Sequence, residues 1–222
     1  MVEQTRTLPA PVVWAWRHPR AEGADGRCIG ITDLRVDARR AKRLARRIQA
    51  AARRYALPQV VYTSPLQRGA AVGRWLRRWG WVHVIDSALL EMDFGAWDGQ
   101  RWADIPKAEV DAWCAAFTCT APGGGETLAG VLNRAARWQP SGAGQRPALM
   151  VAHAGWMLAR LWRHEQEDRL PGAADWPVPP AHGVCWLLPG VPFAASDRPS
   201  RCLPGEGLTS SGVSDGSARR LI

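Results

Sequence analysis

Residues 12–30 read VVWAWRHPRAEGADGRCIG. The apolar run 12–16 is long enough for one buried strand, and it ends on the pair Arg17–His18. Pro19 then fixes φ and removes a backbone donor, which stops a strand. Glycines at 23, 26 and 30 mark the following segment, 19–30, as a loop. A histidine at such a strand end is either a packed ring or part of a site, and the rest of the chain must decide.

The pattern that follows predicts alternating helices and strands. In DARRAKRLARRIQAAARRYAL, residues 37–57, Ala41, Leu44, Ile48, Ala52 and Tyr55 fall on one helical stripe. Most of the arginines occupy its other faces. A strand over 59–62 closes at Ser64 and Pro65, a good N-cap followed by proline at the first helical position. A helix is therefore expected from there to about Trp79. A third strand covers 81–85, and LLEMDFGAWDGQRW, 89–102, reads as a loop. Helix is expected from Trp102 to about Phe117, and again from Glu126 to about Trp138 after the turn APGGGET. ALMVA, 148–152, is a strand with His153 at its end. Helix over 155–167 and a last strand over 183–188 complete the pattern. The expected fold is α/β, a three-layer sandwich with a mostly parallel central sheet. Residues 1–10 read as a short N-terminal extension, 11–188 as the domain, and 189–222, dominated by Gly, Ser, Pro and Arg, as a disordered tail.

At 222 residues one full domain is expected. No apolar run approaches a membrane span, and MVEQTRTLPA lacks the layout of a secretory leader. A cytoplasmic protein is expected. Five cysteines, scattered and never spaced as CxxC, suggest neither a zinc site nor a disulfide framework, so reduced thiols are expected. The net charge of +9 raises nucleic acid as a partner. Much of the excess lies on the helix over 37–57, where no binding motif accompanies it, and a solvated face is the plainer reading. The thirteen tryptophans follow no repeat and read as packing residues.

In α/β sheets ligands bind beyond the carboxyl ends of the strands. Arg17 and His18 stand at one such end, and Ser64 with Arg68 at a second. Glu91 follows a third, and His153 ends a fourth. Phosphoryl transfer wants this set. Arginine forks match phosphoryl oxygens, a neutral imidazole attacks phosphorus, and a carboxylic acid protonates the leaving oxygen. No acidic cluster has the character of a magnesium site, and no metal or cofactor is expected.

The motifs RHP (17–19), GRCIGITDL (26–34), YTSPLQR (62–68), LLEMDFGAWDG (89–99), PGGGET (122–127) and VAHAG (151–155) occur in that order. Together they resemble the histidine phosphatase superfamily, also called phosphoglycerate mutase-like, over residues 12 to about 188. Within it they look most like small-substrate phosphatases, including α-ribazole phosphatases. The resemblance implies His18 as nucleophile and Arg17, Arg68 and His153 as phosphate ligands, with His153 protonated. It implies Glu91 as proton donor, with Asp93 and Asp98 as rivals, and Arg27 and Gly30 in a loop closing over the substrate. Two departures stand out: RHPRA replaces the usual RHGET or RHGES, and HAG the commoner HGG or HGN. His83 and His164 read as structural and solvated. His182 could approach the site, although a bland role is favoured.

The expected activity is metal-independent phosphomonoester hydrolysis through a phosphohistidine. The substrate would be a small phosphorylated metabolite, with α-ribazole 5'-phosphate one candidate. The alternatives are mutase-type phosphoryl transfer and, from another class, a basic nucleic-acid-binding module. The protein is expected as monomer or homodimer, without nucleic-acid or membrane partners. Tryptophans between Trp97 and Pro122 would suit a flat or apolar leaving group.

Overall fold

The computed structural model describes residues 12–141 and 147–190. The expected N-terminal extension 1–10 and nearly all of the expected tail lie outside the described residues. Five strands, β1 (Val12–Arg17), β2 (Val60–Thr63), β3 (Val82–Ile85), β4 (Ala148–Ala152) and β5 (Cys185–Pro189), form one sheet in the order β3-β2-β4-β1-β5. All neighbours run parallel except β1 and β5. The last strand runs to Pro189, one residue beyond the expected end of the domain.

Alternation along the strands divides the core in two. Trp16, Val61, Leu149 and Val151 pack on one face against α1 (Ala38–Arg54) and α2 (Gln67–Arg78). Val13, Ala15, Tyr62, Met150 and Ala152 pack on the other against α4 (Leu128–Arg137) and α5 (Ala154–Glu165). Helix, sheet and helix are the three layers expected. Helix α1 starts where the Asp37 side chain accepts from the Arg40 N–H at 2.8 Å. It buries Ala41, Leu44, Ala45, Ile48 and Ala52. Tyr55 departs from the expected stripe: it lies just past the last helical residue, is exposed, and rests on Trp14 at 4.9 Å between ring centroids.

Two further boundaries differ from expectation, each for a physical reason. Helix α3 (Lys107–Ala115) begins later than residue 102 because Pro106 forces Ile105 into an extended conformation. Helix α2 begins at Gln67 and not at Ser64. Its first N–H donates to the Asp33 carboxylate at 2.6 Å, a cap supplied from an earlier loop. Ser64 is used elsewhere.

Tryptophans of the 97–122 segment pack on one another. Trp97 and Trp113 are buried and meet edge to face at 5.8 Å, with Phe94 and Phe117 against Trp113. Trp97 and Trp113 are thereby spent on the core beneath the segment, while Trp102 is partly buried against it. Cys28, Cys114 and Cys185 are free thiols. No helix among the described residues is long and apolar enough to cross a membrane.

Candidate active site

Strand register assembles the site. In the parallel ladder Arg17 pairs with Ala152 and Thr63 with Val151, so β1, β4 and β2 finish at the same edge. The residues that follow, His18, His153 and Ser64, emerge side by side. The His18 N–H donates to the Ala152 carbonyl at 3.0 Å, which carries the ladder one residue further. The rings of His18 and His153 lie 5.0 Å apart.

His18 is buried, and its Nδ1 lies 2.7 Å from the Pro19 carbonyl oxygen. A carbonyl only accepts, so Nδ1 carries the proton and Nε2 keeps its lone pair. Burial, with Arg68 nearby, holds the imidazole well below its ordinary pKa of 6.5, hence neutral at pH 7. Pro19 has no N–H, yet it retains the carbonyl that His18 uses. The departure at position 19 therefore spares the group that sets the tautomer.

His153 is fully buried between two partners. The Arg68 Nε–H donates to Nδ1 at 3.2 Å, and Nε2 lies 2.7 Å from the Ser64 hydroxyl. A guanidinium has no acceptor, so Nδ1 is unprotonated and Nε2–H donates to Ser64. Burial and Arg68 push its pKa well below 6.5. The expected protonated His153 is thus replaced by a neutral ring with both nitrogens engaged. This is also why Ser64 caps no helix: its hydroxyl serves the histidine.

Arg68 is 1% exposed and held on all sides. Besides His153 it donates to the Thr32 carbonyl at 2.7 Å and to the Gly30 carbonyl. Gly30 must be glycine, because a Cβ there would fall 2.0 Å from the Met92 oxygen. Its place is in the wall that fixes Arg68. Arg17 donates through Nη1 to the Pro180 carbonyl at 2.7 Å, while its Nε is buried with no hydrogen-bond partner. A buried unpaired donor on a guanidinium costs about 1–3 kcal/mol and suits an anion. Arg27 is exposed and bonded to the Gly99 carbonyl at 2.7 Å, so these contacts do not join it to the cluster.

Glu91 is half-buried and accepts from the Gly155 N–H at 3.0 Å, at the start of α5. A Cβ at 155 would lie 2.4 Å from a Glu91 oxygen, so glycine there is what lets the carboxylate keep this position. Ala154 carries no such restriction. Glu91 interacts electrostatically with both Arg17 and Arg68. The rival carboxylates are committed elsewhere. Asp98 accepts from the N–H groups of Gly30, Ile31 and Thr32 and from the Thr32 hydroxyl. Asp93 accepts from the Gly95 N–H at 2.8 Å.

Two supports were not foreseen from sequence, and a third was named only as able to approach the site. Arg134 donates to the carbonyls of Ala88 and Leu90 and pairs with Glu126 at 2.8 Å, which braces the segment leading to Glu91. The Trp156 indole donates to the Ala88 carbonyl as well. His182, favoured as bland, stands at the site: its Nδ1 lies 3.0 Å from the His18 carbonyl oxygen and its ring 5.3 Å from the His18 ring. Its position before the last strand was the available signal. His83 is structural as expected, with Nε2 2.8 Å from the Thr63 hydroxyl. Among the described residues no group of three or more His, Cys, Asp or Glu could hold a metal ion.

A neutral imidazole with a free Nε2 lone pair, two guanidinium groups and a carboxylate meet at one sheet edge, an arrangement able to move a phosphoryl group. Comparison with known proteins agrees. The family model of the histidine phosphatase superfamily (branch 1) matches residues 13–185. None of the curated proteins matches the chain. Among solved structures, TTHB049 from Thermus thermophilus superposes with a TM-score of 0.57 at 26% identity, covering 79% of this chain and 92% of the other. Mycobacterial glucosyl-3-phosphoglycerate phosphatase in complex with VO3 gives 0.52 at 26% identity, covering 68% and 79%. The native form of that phosphatase gives 0.56 at 24% identity, covering 73% and 81%, and shares the fold. By its motifs, its sheet and its match over residues 13–185, the chain belongs to the histidine phosphatase superfamily, branch 1, as a phosphoric monoester hydrolase.

Proposed function

We propose that the protein hydrolyses a small phosphorylated metabolite, without a metal, through a phosphohistidine at His18. The observation that carries this reading is the His18 Nε2 lone pair, aimed from a ring whose Nδ1–H is tied to Pro19. In the first step Nε2 attacks phosphorus and the N–P bond forms as the P–O bond breaks. Glu91 in its acid form gives its proton to the departing oxygen. In the second step Glu91, now carboxylate, takes a proton from water. The water oxygen attacks phosphorus and releases inorganic phosphate, and His18 is restored. Arg17, with its unpartnered Nε, and Arg68 stabilise charge on the equatorial oxygens. His153 acts on that charge through Arg68, whose Nε it fixes. Gly30 shapes the same wall.

The leaving group is an alcohol of a small metabolite, and α-ribazole 5'-phosphate is the first substrate to try. TTHB049 and mycobacterial glucosyl-3-phosphoglycerate phosphatase, the similar structures, leave that choice open. The reading places the enzyme in the cytoplasm, as monomer or homodimer, with no nucleic-acid partner.

Hydrolysis of p-nitrophenyl phosphate in EDTA tests it. Wild-type protein is expected to turn over, and His18→Ala to lose at least about 10³-fold in kcat. Loss of all activity in EDTA, or a His18→Ala variant as fast as wild type, overturns the mechanism. Turnover only with a bisphosphorylated primer and acceptor identifies a mutase instead.

A further inference from the structure

The Val184 N–H donates to the Ala181 carbonyl at 3.1 Å, so residues 181–184 form a turn just before β5. Its third residue, Gly183, has φ +74, a conformation that glycine takes without strain. Three hydrogen bonds pin this turn to the nucleophile's strand. The Gly183 N–H donates to the Arg17 carbonyl at 2.9 Å, the Arg17 N–H to the Val184 carbonyl at 3.0 Å, and Arg17 Nη1 to the Pro180 carbonyl at 2.7 Å. The second residue of the turn is His182. Its Nδ1 lies 3.0 Å from the His18 carbonyl oxygen, and because a carbonyl only accepts, Nδ1–H is the donor.

That carbonyl sits where the sheet stops holding the backbone. The ladder reaches as far as the His18 N–H, which donates to Ala152. The following peptide has no N–H, because residue 19 is proline. Among the described residues, backbone-to-backbone donation resumes downstream only at the Glu22 N–H, bonded to the Arg35 carbonyl at 2.9 Å. The His182 bond is therefore the one hydrogen bond on the His18–Pro19 peptide. A residue before proline is confined to extended conformations, yet its ψ still ranges over about 40°. The bond selects an orientation within that range. The locked φ of Pro19 carries this orientation on towards the Pro19 carbonyl, which accepts from His18 Nδ1 at 2.7 Å.

We propose that His182 is a positioning residue for the nucleophile: by holding the His18–Pro19 peptide it aims the Pro19 carbonyl at Nδ1 and keeps the His18 lone pair on Nε2. This rests on the phosphatase reading above and deepens it. Proline at 19 is then a rigid arm, and His182 is its anchor. Water can satisfy the His18 carbonyl when the imidazole is removed, but it cannot hold that carbonyl in one direction.

Three variants and two readouts test it. His182→Ala and His182→Leu remove the donor, the second while filling much of the same space. His182→Asn keeps an N–H at the place of Nδ1. His182 is exposed, so none of the three opens a buried cavity. Nitrogen NMR of the isotope-labelled His18 ring, assigned by the loss of its signals in His18→Ala, reads the tautomer. Wild-type protein and His182→Asn should carry the proton on Nδ1, whereas His182→Ala and His182→Leu should shift it towards Nε2. On p-nitrophenyl phosphate the Ala and Leu variants should lose about tenfold or more in kcat/KM. Inhibition by inorganic phosphate, which reads binding by the arginines, should stay within about twofold, and His182→Asn within about threefold of wild-type activity. A His18 tautomer unchanged in both the Ala and Leu variants overturns the proposal. So does wild-type kcat/KM in His182→Leu, or a loss that His182→Asn shares. A loss matched by weaker phosphate inhibition also overturns it, because the effect then lies on Arg17. Failure of wild-type protein to hydrolyse p-nitrophenyl phosphate defeats the phosphatase reading instead, and the ring-nitrogen signals still decide whether His182 sets the tautomer.

Discussion

Arg68 donates through Nε to Nδ1 of His153 at 3.2 Å, and this bond fixes the state of both residues. A donor-only guanidinium requires a lone pair on Nδ1, so the histidine is neutral and its remaining N–H turns to Ser64. The arginine in turn loses the freedom to rotate away from the sheet edge.

Ser64→Ala leaves the buried His153 Nε2–H without an acceptor. Both residues are fully buried, so no water replaces the hydroxyl. A stability loss of about 1–3 kcal/mol is expected, read as a lower urea midpoint with the slope retained. The kcat should fall with it, because Arg68 is no longer held by a fixed tautomer. Ser64→Thr, which restores a hydroxyl, should recover most of both.

Glycine at 155 exists to seat Glu91. Gly155→Ala places a methyl group 2.4 Å from the carboxylate, and the carboxylate must move. Loss of a positioned general acid costs about 10²–10⁴-fold, so kcat on a poor leaving group should drop by at least tenfold. A good leaving group such as p-nitrophenol needs little protonation and should suffer less. Equal losses on both would point to general misfolding of the site.

Acid should destabilise the fold in a defined window. His18, His153, His182 and His83 all have pKa values lowered by burial, His83 to about 4. Between the ordinary 6.5 and those lower values the unfolded chain binds more protons than the native one. Stability is therefore full above about pH 6.5 and declines as the pH falls through the window. His83→Gln should flatten the part between 6.5 and about 4. A urea midpoint unchanged from pH 7 to pH 4.5 would contradict these assignments.

The convergence of Arg17, His18, Arg68, Glu91 and His153 was legible because each closes or follows an apolar run, and parallel strands end together. The second layer was not. Asp33 caps a helix 34 residues downstream, and Asp98 ties down residues 30–32 from a separate loop. Ser64 matched a local capping pattern, but a partner 89 residues away claims its hydroxyl. Local preference yields where a buried polar group needs the same atom. His182 is legible only as able to approach the site, because its contact with His18 depends on the antiparallel pairing of β1 with β5, which a linear reading does not reveal.

The central claim is that His18 Nε2 carries the phosphoryl group during turnover. Rapid quench of wild-type protein with excess substrate, followed by alkaline digestion and mass spectrometry, tests it directly. The account predicts one acid-labile phosphoryl group on His18, lost from His18→Ala together with turnover. Phosphoryl found on another residue, or full turnover by His18→Ala, would contradict it.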